Sequence, residues 1–573
     1  MSPNDLGGAL VLDRPRRAAP PDAIAPHTAG GSARRPDLDV LLGRAAPDRL
    51  AVAVLAYLTL PGLLFLAGWT EPWAGLGAGL AALAALVLAP GWRGGEARWP
   101  FGVGTTLVCL ALGLAWAGAT GAHHLVYSTA DWQIRDAVLR DLSAGPWPVA
   151  YTQGGADGPQ WLLRAPLGFF LPAGLVGRVF GFAAAQAALW AWAGLGLGLV
   201  LALLATLGRA LDPRRPTRAF AVLAVVFALF HGLDVLPNLW LDGRAGAGAL
   251  AAWGRGGEWW GRLFQYPGHV TALLWAPNHA LPAWLAALLL LRHGRRPEFV
   301  RGVALPLAAA AFWSPVAAAG AAVLAAAGLL RRGSRGRGVA TRSAPGGAEA
   351  PGDAGLRAAL AAPANWLAVV FAVPLCLYLV AGSGAVPHGL LVASHPPAEA
   401  LGRWLLLLAV EVLPWAALAV VLVRGGRLFG ASVAILCLLP AYVFGPGNEM
   451  TSRGGVAPLA VLAVLVGAAL LAPAGPDRGR RLARAGLLAC AALAAAGSAM
   501  EGSLLVARDP WPASERCSVP EAARQSVFQG STNWSHYLAP WPDERLEGWM
   551  EEPEERPVPP PARSPRCWPR GGA

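Results

Sequence analysis

Long apolar runs recur along almost the whole chain, and they constrain its fold more than any other feature. About twenty consecutive apolar residues are needed to cross the hydrocarbon core of a bilayer. Runs close to this length lie at 50–69, 73–90, 103–122, 182–207, 219–240, 272–292, 363–383, 403–423, 428–444, 456–474 and 486–506, with a shorter pair within 302–330. The pattern predicts an all-α fold, a polytopic integral membrane helical bundle of about 11–13 membrane segments.

The composition agrees with a membrane protein. Of the 573 residues, 55% are hydrophobic and only 14% are charged, whereas a soluble domain carries about 25% charge. The net charge of +12 could indicate nucleic-acid binding, but the arginines lie in short clusters between apolar runs, as in cytoplasmic loops of membrane proteins. We therefore expect contact with membrane lipid and no nucleic acid. The heavy use of Ala, Gly, Arg and Pro, with no Lys, indicates a bacterial cell membrane protein.

The arginine clusters predict the orientation of the chain. They lie at 93–98, 209–218, 292–301, 331–342, 424–427 and 478–484. All fall on the cytoplasmic side if the N-terminus is cytoplasmic and the C-terminus extracytoplasmic. Residues 302–330 must then leave the cytoplasm and return, yet a helix of that length is about 42 Å long and two crossings need about 60 Å. This segment is predicted to be a shallow hairpin turning near 312–315, with two full spans as the alternative.

These boundaries divide the chain into three parts. Residues 1–48 have no apolar period and are predicted to be a disordered cytoplasmic tail. Residues 49–506 form the membrane domain, and residues 507–573 an extracytoplasmic tail rich in Trp, Pro and Glu. Within the membrane domain, we expect large extracytoplasmic loops at 123–181 and 241–271, carrying short interfacial helices, and a flexible cytoplasmic loop at 331–360.

The 123–181 loop concentrates charged side chains in an otherwise apolar chain. Its segment TADWQIRDAVLRDL predicts a short amphipathic helix with Thr129 as its N-cap and Asp131 at its N-terminal end. Such polar density beside a membrane is typical of an active site or a translocation path. The alternative is an interfacial helix whose charges are merely solvated.

Further ionisable groups lie near the predicted outer ends of helices. Asp234, Glu258 and His279 would share one side of the bundle, where such groups are functional candidates. Asn278 and His279 follow Pro277, which predicts a locally broken helix. A structural role for His279 remains the alternative. Glu411 lies within an apolar run and is interpreted as a polar contact between helices, with a proton relay as the alternative.

The cysteines divide into two groups. Cys109, Cys376, Cys437 and Cys490 lie inside apolar runs and are expected to be small buried side chains. Cys517 and Cys567 lie in the polar tail. If that tail is extracytoplasmic, a disulfide between them is expected.

A set of short motifs resembles a group of bacterial polytopic proteins similar to GT-C type membrane glycosyltransferases. The first part of the resemblance is carried by Asp131-Trp132, Arg135, Leu139, Asp141-Leu142, Trp147-Pro148, Tyr151 and Gly168 to Ala173. The second part is carried by Gly232 to Asp234, Glu258 to Trp260, Gln265-Tyr266, Trp275 to Leu281, Trp284, Trp313 to Pro315, Gly447 to Glu449 and Arg453. It covers about residues 50–475. One departure is Arg135, where the group leads us to expect a histidine.

The resemblance implies an enzyme that takes a sugar from a polyprenyl-phosphate carrier and gives it to an acceptor outside the cytoplasm. In that superfamily the first large outer loop carries an acidic residue followed by a short helix along the membrane surface, which makes Asp131 the first candidate for the base or for a ligand of a divalent cation. Further catalytic candidates are Asp234, Glu258 and His279. The candidates for binding substrate or phosphate are Arg135, Arg164, Arg453, Asn278, Gln265 and Tyr266. The resemblance does not indicate whether the acceptor is a glycan, a lipid or a protein.

Two other classes of function compete with this interpretation. A transporter or lipid-carrier flippase would favour paired charges within the spans and an internal repeat. The sequence offers Glu411 alone and no clear repeat. A non-catalytic membrane protein of envelope assembly would use the outer loops as docking surfaces.

Overall fold

A computed structural model describes residues 35–88, 98–153, 158–246, 256–329, 354–445, 447–527 and 537–568. Most of the predicted tail at 1–48 and of the predicted loop at 331–360 lies outside these ranges. The described residues from 36 onward belong to one compact unit. Within the described residues the chain is mostly helical with little strand, as the apolar runs predict.

The first part of the chain contributes helices that follow the predicted runs closely. They are α1 (Leu38–Leu41), α2 (Arg49–Trp69), α3 (Pro72–Leu88), α4 (Val103–Gly118), α5 (Trp132–Ala144), α6 (Leu171–Phe180), α7 (Phe182–Leu211) and α8 (Pro216–Ala228). The middle of the chain adds shorter pieces. They are α9 (Val235–Arg244), α10 (His269–Trp275), α11 (Pro277–His293), α12 (Pro297–Val300), α13 (Ala304–Trp313), α14 (Pro315–Leu329), α15 (Ala354–Leu360) and α16 (Pro363–Val380).

The last part of the chain adds nine helices to the described residues between 391 and 525. Its helices are α17 (Leu391–Ser394), α18 (Pro397–Glu411), α19 (Leu413–Leu422), α20 (Gly426–Leu438), α21 (Glu449–Gly454), α22 (Val456–Leu471), α23 (Arg478–Gly502), α24 (Leu504–Ala507) and α25 (Val519–Gln525). Among the described residues, four helices are long and apolar enough to cross a membrane, and a fifth span is obtained if α18 and α19 count as one. Several apolar helices are shorter than a full crossing.

Proline and small polar residues break several of the predicted runs. The run at 272–292 is interrupted at Ala276, and Pro277 starts α11, so the predicted break is present. The segment 302–330 breaks at Ser314, within the predicted turn, and Pro315 starts the second limb. Proline favours the first turn of a helix, where its missing N–H leaves no bond unmade. By contrast, the run predicted at 219–240 ends at Ala228.

A small sheet modifies the all-α prediction. Strands β1 (Ala150–Gln153) and β2 (Gln160–Leu163) form an antiparallel pair inside the first predicted loop. Strand β5 (Leu538–Trp541) pairs antiparallel with β2, and β6 (Pro557–Val558) pairs parallel with β1. A separate pair is formed by β3 (His388–Leu390) and β4 (Tyr442–Phe444). The described part of the C-terminal tail therefore folds against the 123–181 loop.

Buried Asp141 joins this tail to α5. Its Oδ2 accepts from the Tyr151 hydroxyl at 2.5 Å and from the backbone N–H of Val519 at 2.9 Å. Its Oδ1 lies 2.7 Å from Arg140 and 3.5 Å from Arg556. A disulfide between Cys517 and Cys567 closes the tail. Both oxygens of the carboxylate are satisfied, so removing a partner would leave a buried charge unpaired, which is destabilising.

The predicted N-terminal tail extends less far into the chain than residue 48. Residues 36–48 pack on the bundle, with a backbone bridge between Asp37 and Arg424 and buried Leu38 and Leu42. Both Asp48 oxygens accept from the Arg292 guanidinium, at 2.9 and 2.5 Å. A two-bonded carboxylate–guanidinium pair is geometrically specific, so it orders this segment.

Candidate functional site

Helix α5 is buried rather than spread on a surface. Ten of its residues are buried, charged Arg135, Asp136 and Asp141 among them. It packs against α6, α7 and α25. The alternative of an interfacial helix with solvated charges does not describe this arrangement. Thr129 does not cap the helix, because its hydroxyl donates to the Leu274 carbonyl at 3.2 Å and Asp131 occupies the cap position.

Asp131 and Arg135 form an ion pair one turn apart. Nη2 of Arg135 donates to Oδ2 of Asp131 at 2.9 Å, and the Asp131 side chain is 32% exposed. Arg135 is only 4% exposed, and its Nη1 is buried with no hydrogen-bond partner among the described residues. The guanidinium lies 5.6 Å from the centre of the Trp132 ring. The accessible Asp131 carboxylate thus lies beside the buried Arg135 guanidinium, which has one N–H donor group without a hydrogen-bond partner among the described residues.

Two more of the predicted residues lie within electrostatic range of this pair. The charges of Arg453 and Arg135 both act on His279. Arg453 is part-exposed, and its Nη2 lies 3.6 Å from Oε1 of Glu449. We call Asp131, Arg135, His279, Glu449 and Arg453 the arginine cluster. It draws residues from α5, α11 and α21, which are far apart in the chain.

Asn278 lies beside the imidazole of His279. Its Nδ2 is 3.3 Å from Nε2 of that ring, and its Oδ1 is buried without a hydrogen-bond partner among the described residues. Both side chains are 5% exposed. The break at Ala276 and Pro277 places this polar pair at the first turn of α11. Freed polar groups at a broken helix are suited to line a binding cavity.

The C-terminal tail brings Tyr537 and Arg164 to the same region. The phenol of Tyr537 is influenced by the charges of Asp131, Arg135 and Arg453, and burial raises its pKa. The Arg164 backbone N–H donates to the Tyr537 carbonyl at 2.6 Å. Arg164 is 8% exposed, and its Nε has no hydrogen-bond partner within the described ranges. Burial also lowers the pKa of Arg164, so this buried cation would gain from an anion.

The remaining predicted binding residues are placed differently. The Tyr266 hydroxyl donates to the Leu436 carbonyl, and its ring is 1% exposed and packs on Gly455. This Tyr266 contact joins the segment before α10 to α20. Gln265 is half-buried.

A second group of polar side chains is fully enclosed. We call His231, Asp234, Glu258, Glu411 and Glu501 the carboxylate cluster; each is at most 4% exposed. Nδ1 of His231 lies 2.6 Å from Oδ2 of Asp234, and Nε2 lies 3.3 Å from Oε1 of Glu258. Glu411 hydrogen-bonds Asp234. Glu501 accepts from the backbone N–H groups of Gly257 and Glu258.

Each member of the carboxylate cluster comes from a chain break or a helix end. His231 and Asp234 lie between α8 and α9, and Glu258 lies in the turn Glu258–Gly261. Glu411 ends α18 where the pair α18–α19 is bent by 41°. Together with nearby Asp234 and Glu501, burial raises the pKa of Glu258 to about 8.

The structure therefore separates residues that the sequence grouped together. Asp234 and Glu258 contact His231, whereas His279 lies within electrostatic range of Arg135 and Arg453. Sequence reasoning missed His231 and Glu501. The i, i+3 spacing of His231 and Asp234 was an available signal. Sequence reasoning also assigned no partner to Glu411, although Asp234 forms a hydrogen bond with it.

Comparisons with protein-family models, with curated proteins and with solved structures found no match to this chain.

Proposed function

We propose that the chain is an integral membrane glycosyltransferase of GT-C type that uses a polyprenyl-phosphate-linked sugar. The observation that supports this most is the arginine cluster. It pairs a part-exposed carboxylate, Asp131, with a buried guanidinium, Arg135, that retains an unbonded donor. Acid–base chemistry on an acceptor and binding of a phosphate leaving group need these two properties side by side.

The proposed reaction uses these groups in turn. An acceptor hydroxyl or amide attacks the anomeric carbon, and the bond from that carbon to the phosphate oxygen breaks. Asp131 takes the proton of the acceptor. The lipid phosphate leaves with its electron pair, and Arg135, Arg164 and Arg453 stabilise its charge. Arginine suits this role because its planar fork donates two parallel hydrogen bonds to phosphate.

The same proposal assigns the arginine cluster to the extracytoplasmic face of a bacterial cell membrane, with the N-terminus cytoplasmic and about 11–13 membrane segments. Two features support this orientation. The arginine-rich loops would all be cytoplasmic. The tail that packs on the first loop carries a disulfide between Cys517 and Cys567, and disulfides persist in oxidising compartments.

Substitution of Asp131 tests the proposal in cells that make a measurable glycan or glycolipid. For Asp131→Asn we expect product to fall by about 10²–10⁴-fold, the usual contribution of a general base, at normal protein levels. Asp509→Asn is the matched control, because Asp509 is exposed on the tail. Full product from Asp131→Asn would remove Asp131 from the mechanism.

A specific observation favours a second candidate, a transporter or lipid-carrier flippase. Glu411 has a buried partner in Asp234, and paired ionisable groups at membrane depth are typical of proton relays. Reconstitution in vesicles separates the two functions. Movement of a lipid-linked sugar across the bilayer, with no sugar transferred in the presence of acceptor, would favour the flippase.

A further inference from the structure

Three arginines line a cleft at the end of α11 that lies away from the arginine cluster. Arg44 precedes α2, Arg209 lies in the last turn of α7 and Arg292 lies in the last turn of α11. We call this hollow of about 220 Å³ the basic cleft. Helix α11 carries His279 in its first turn, and its 17 residues span about 25 Å. The two sites are therefore separated by most of the thickness of a bilayer core, which is about 30 Å.

The backbone around Arg44 is held against the end of α11. The Ala45 N–H donates to the Arg292 carbonyl at 3.2 Å, and Nδ1 of His293 lies 2.7 Å from the Ala45 carbonyl oxygen. Nε of Arg296 donates to the Arg44 carbonyl at 2.6 Å. These bonds join two segments that are far apart in the chain, so one wall of the cleft is an ordered part of the fold.

The basic cleft carries positive charge that its own lining does not neutralise. Arg44 and Arg209 are exposed, and only one bond from the Arg209 side chain, from Nη1 to the Pro100 carbonyl at 2.9 Å, is to the protein. Arg292 is 6% exposed and pairs with Asp48, but its Nε is buried without a hydrogen-bond partner among the described residues. The described lining residues include no carboxylate. An anion would therefore be stabilised here.

An apolar hollow adjoins the basic cleft. It is formed by the segment before α4 and the first turns of that helix, and its lining includes Trp99, Phe101, Val103 and Leu107. The Arg209 guanidinium lies 5.2 Å from the centre of the Phe101 ring. Because Pro100 lines the cleft and Phe101 lines the hollow, the two share this wall. A cationic site thus lies directly beside an apolar one.

The apolar surface continues along α4 beyond the hollow. Val103, Leu107 and Leu112 are 76%, 58% and 49% exposed. Residues spaced four or five apart follow one side of a helix. Exposed apolar side chains in a row are typical of a surface that contacts lipid or a partner. An apolar path of this kind, starting at a cluster of arginines, matches a molecule with an anionic head and a hydrocarbon chain.

We propose that the basic cleft and the adjoining hollow bind one anionic phospholipid. Its phosphate contacts Arg44 and Arg209, whose planar forks suit phosphate oxygens, and one acyl chain lies along α4. Under the proposed orientation this lipid belongs to the cytoplasmic leaflet, where basic pockets between helices hold anionic headgroups. The lipid joins the segment before α2 to α4 and α7. The inference shares the membrane orientation of the proposed enzyme and uses none of its chemistry.

Native mass spectrometry of the full-length protein tests this site, with dioleoyl phosphatidylglycerol and dioleoyl phosphatidylcholine as the two probes. We expect wild type to retain one phosphatidylglycerol in preference to phosphatidylcholine. The double variant Arg44→Gln with Arg209→Gln should bind phosphatidylglycerol about 30-fold more weakly, the effect of two lost cations beside an anionic lipid. Arg214→Gln with Arg215→Gln is the matched control, because both arginines are exposed in the loop after α7 and lie outside the cleft.

Two further arms separate the source of the phosphate and the proposed enzyme. Soluble glycerol phosphate, which lacks acyl chains, should not displace the bound lipid. Asp131→Asn should bind phosphatidylglycerol as wild type does, so failure of the lipid site and failure of the enzyme are distinguishable.

Thermal unfolding of wild type gives a second measurement that needs no variant. The unfolding midpoint should be higher in nanodiscs that contain phosphatidylglycerol than in nanodiscs of phosphatidylcholine alone, because a bound ligand stabilises the folded state. Three outcomes would overturn the proposal. They are equal retention of the two lipids by wild type, equal weakening in the two double variants, and displacement of the lipid by glycerol phosphate.

Discussion

The arginine cluster and the carboxylate cluster both bury charged groups among apolar helices, yet they differ in sign and in access. In the first, a part-exposed carboxylate lies among cations whose donors are not all used. In the second, carboxyl groups outnumber the imidazole, and each is at most 4% exposed. The first suits an anion that arrives and leaves, and the second joins chain breaks and helix ends inside the bundle. The sign of the unbalanced charge thus distinguishes a substrate site from a stabilising site.

After Asp131→Asn, the largest expected effect is on the donor side of the arginine cluster. Arg135→Gln removes a charged fork from the leaving phosphate, so we expect the transfer rate to fall by about 10²–10³-fold, the usual cost of one lost donor. Arg135→Lys should recover only part of the rate, because lysine lacks the planar fork. The exposed Arg403, which pairs with Glu399, provides the control variant Arg403→Gln. Equal rates for wild type and Arg135→Gln would contradict the role of Arg135.

Substitution of the buried Asp141 should affect the stability of the fold rather than the transfer rate. Asp141→Asn weakens the bonds from Tyr151, Val519 and two arginines, and we expect the free energy of unfolding to fall by about 1–3 kcal/mol. Thermal unfolding in detergent measures this change. A variant as stable as wild type would show that the tail does not depend on Asp141.

Gly268 tests the packing of the carboxylate cluster. In Gly268→Ala the new methyl would lie 2.2 Å from His231, so the ring must move. We expect about 1–3 kcal/mol of destabilisation, measured by thermal unfolding in detergent. Gly261→Ala is the matched control, since a Cβ there meets no atom within 4 Å. Equal unfolding midpoints for the two variants would show that the position of the imidazole does not affect stability.

The smallest expected effect is a pH dependence from His124. Burial lowers its pKa, but the Asp136 carboxylate, 2.7 Å from Nε2, raises it above the ordinary value overall. A histidine with a raised folded pKa contributes its full stability below its unfolded pKa of about 6.5, and loses it as the pH rises through the folded value. The unfolding midpoint should therefore decrease as the pH rises above about 6.5.

His124→Asn should remove this pH-dependent part of the midpoint. Asparagine tolerates the left-handed backbone that His124 adopts, with φ of 61°. A pH profile of the variant that overlays the wild-type profile would contradict the assignment to His124.

The sequence predicted the features that depend on residues close together in the chain. Apolar runs located most helices, Pro277 located the break before α11, and the pattern of residues 129–142 located α5. Contacts between distant residues could not be predicted this way. Asp141 meets Val519 across hundreds of residues. The role of His231 could be recognised only from the positions of Glu258 and Glu501 beside it, because side chains from separate loops meet only in the folded chain.

The most direct test of the account is the binding of polyprenyl phosphate to the purified full-length protein. Native mass spectrometry measures the amount of lipid phosphate that stays bound. We expect wild type and Glu258→Gln to retain the lipid phosphate, and Arg135→Gln and Arg164→Gln to lose most of it. That result would place the leaving group at the arginine cluster. Lipid phosphate bound equally by all four proteins, or by none, would contradict the account.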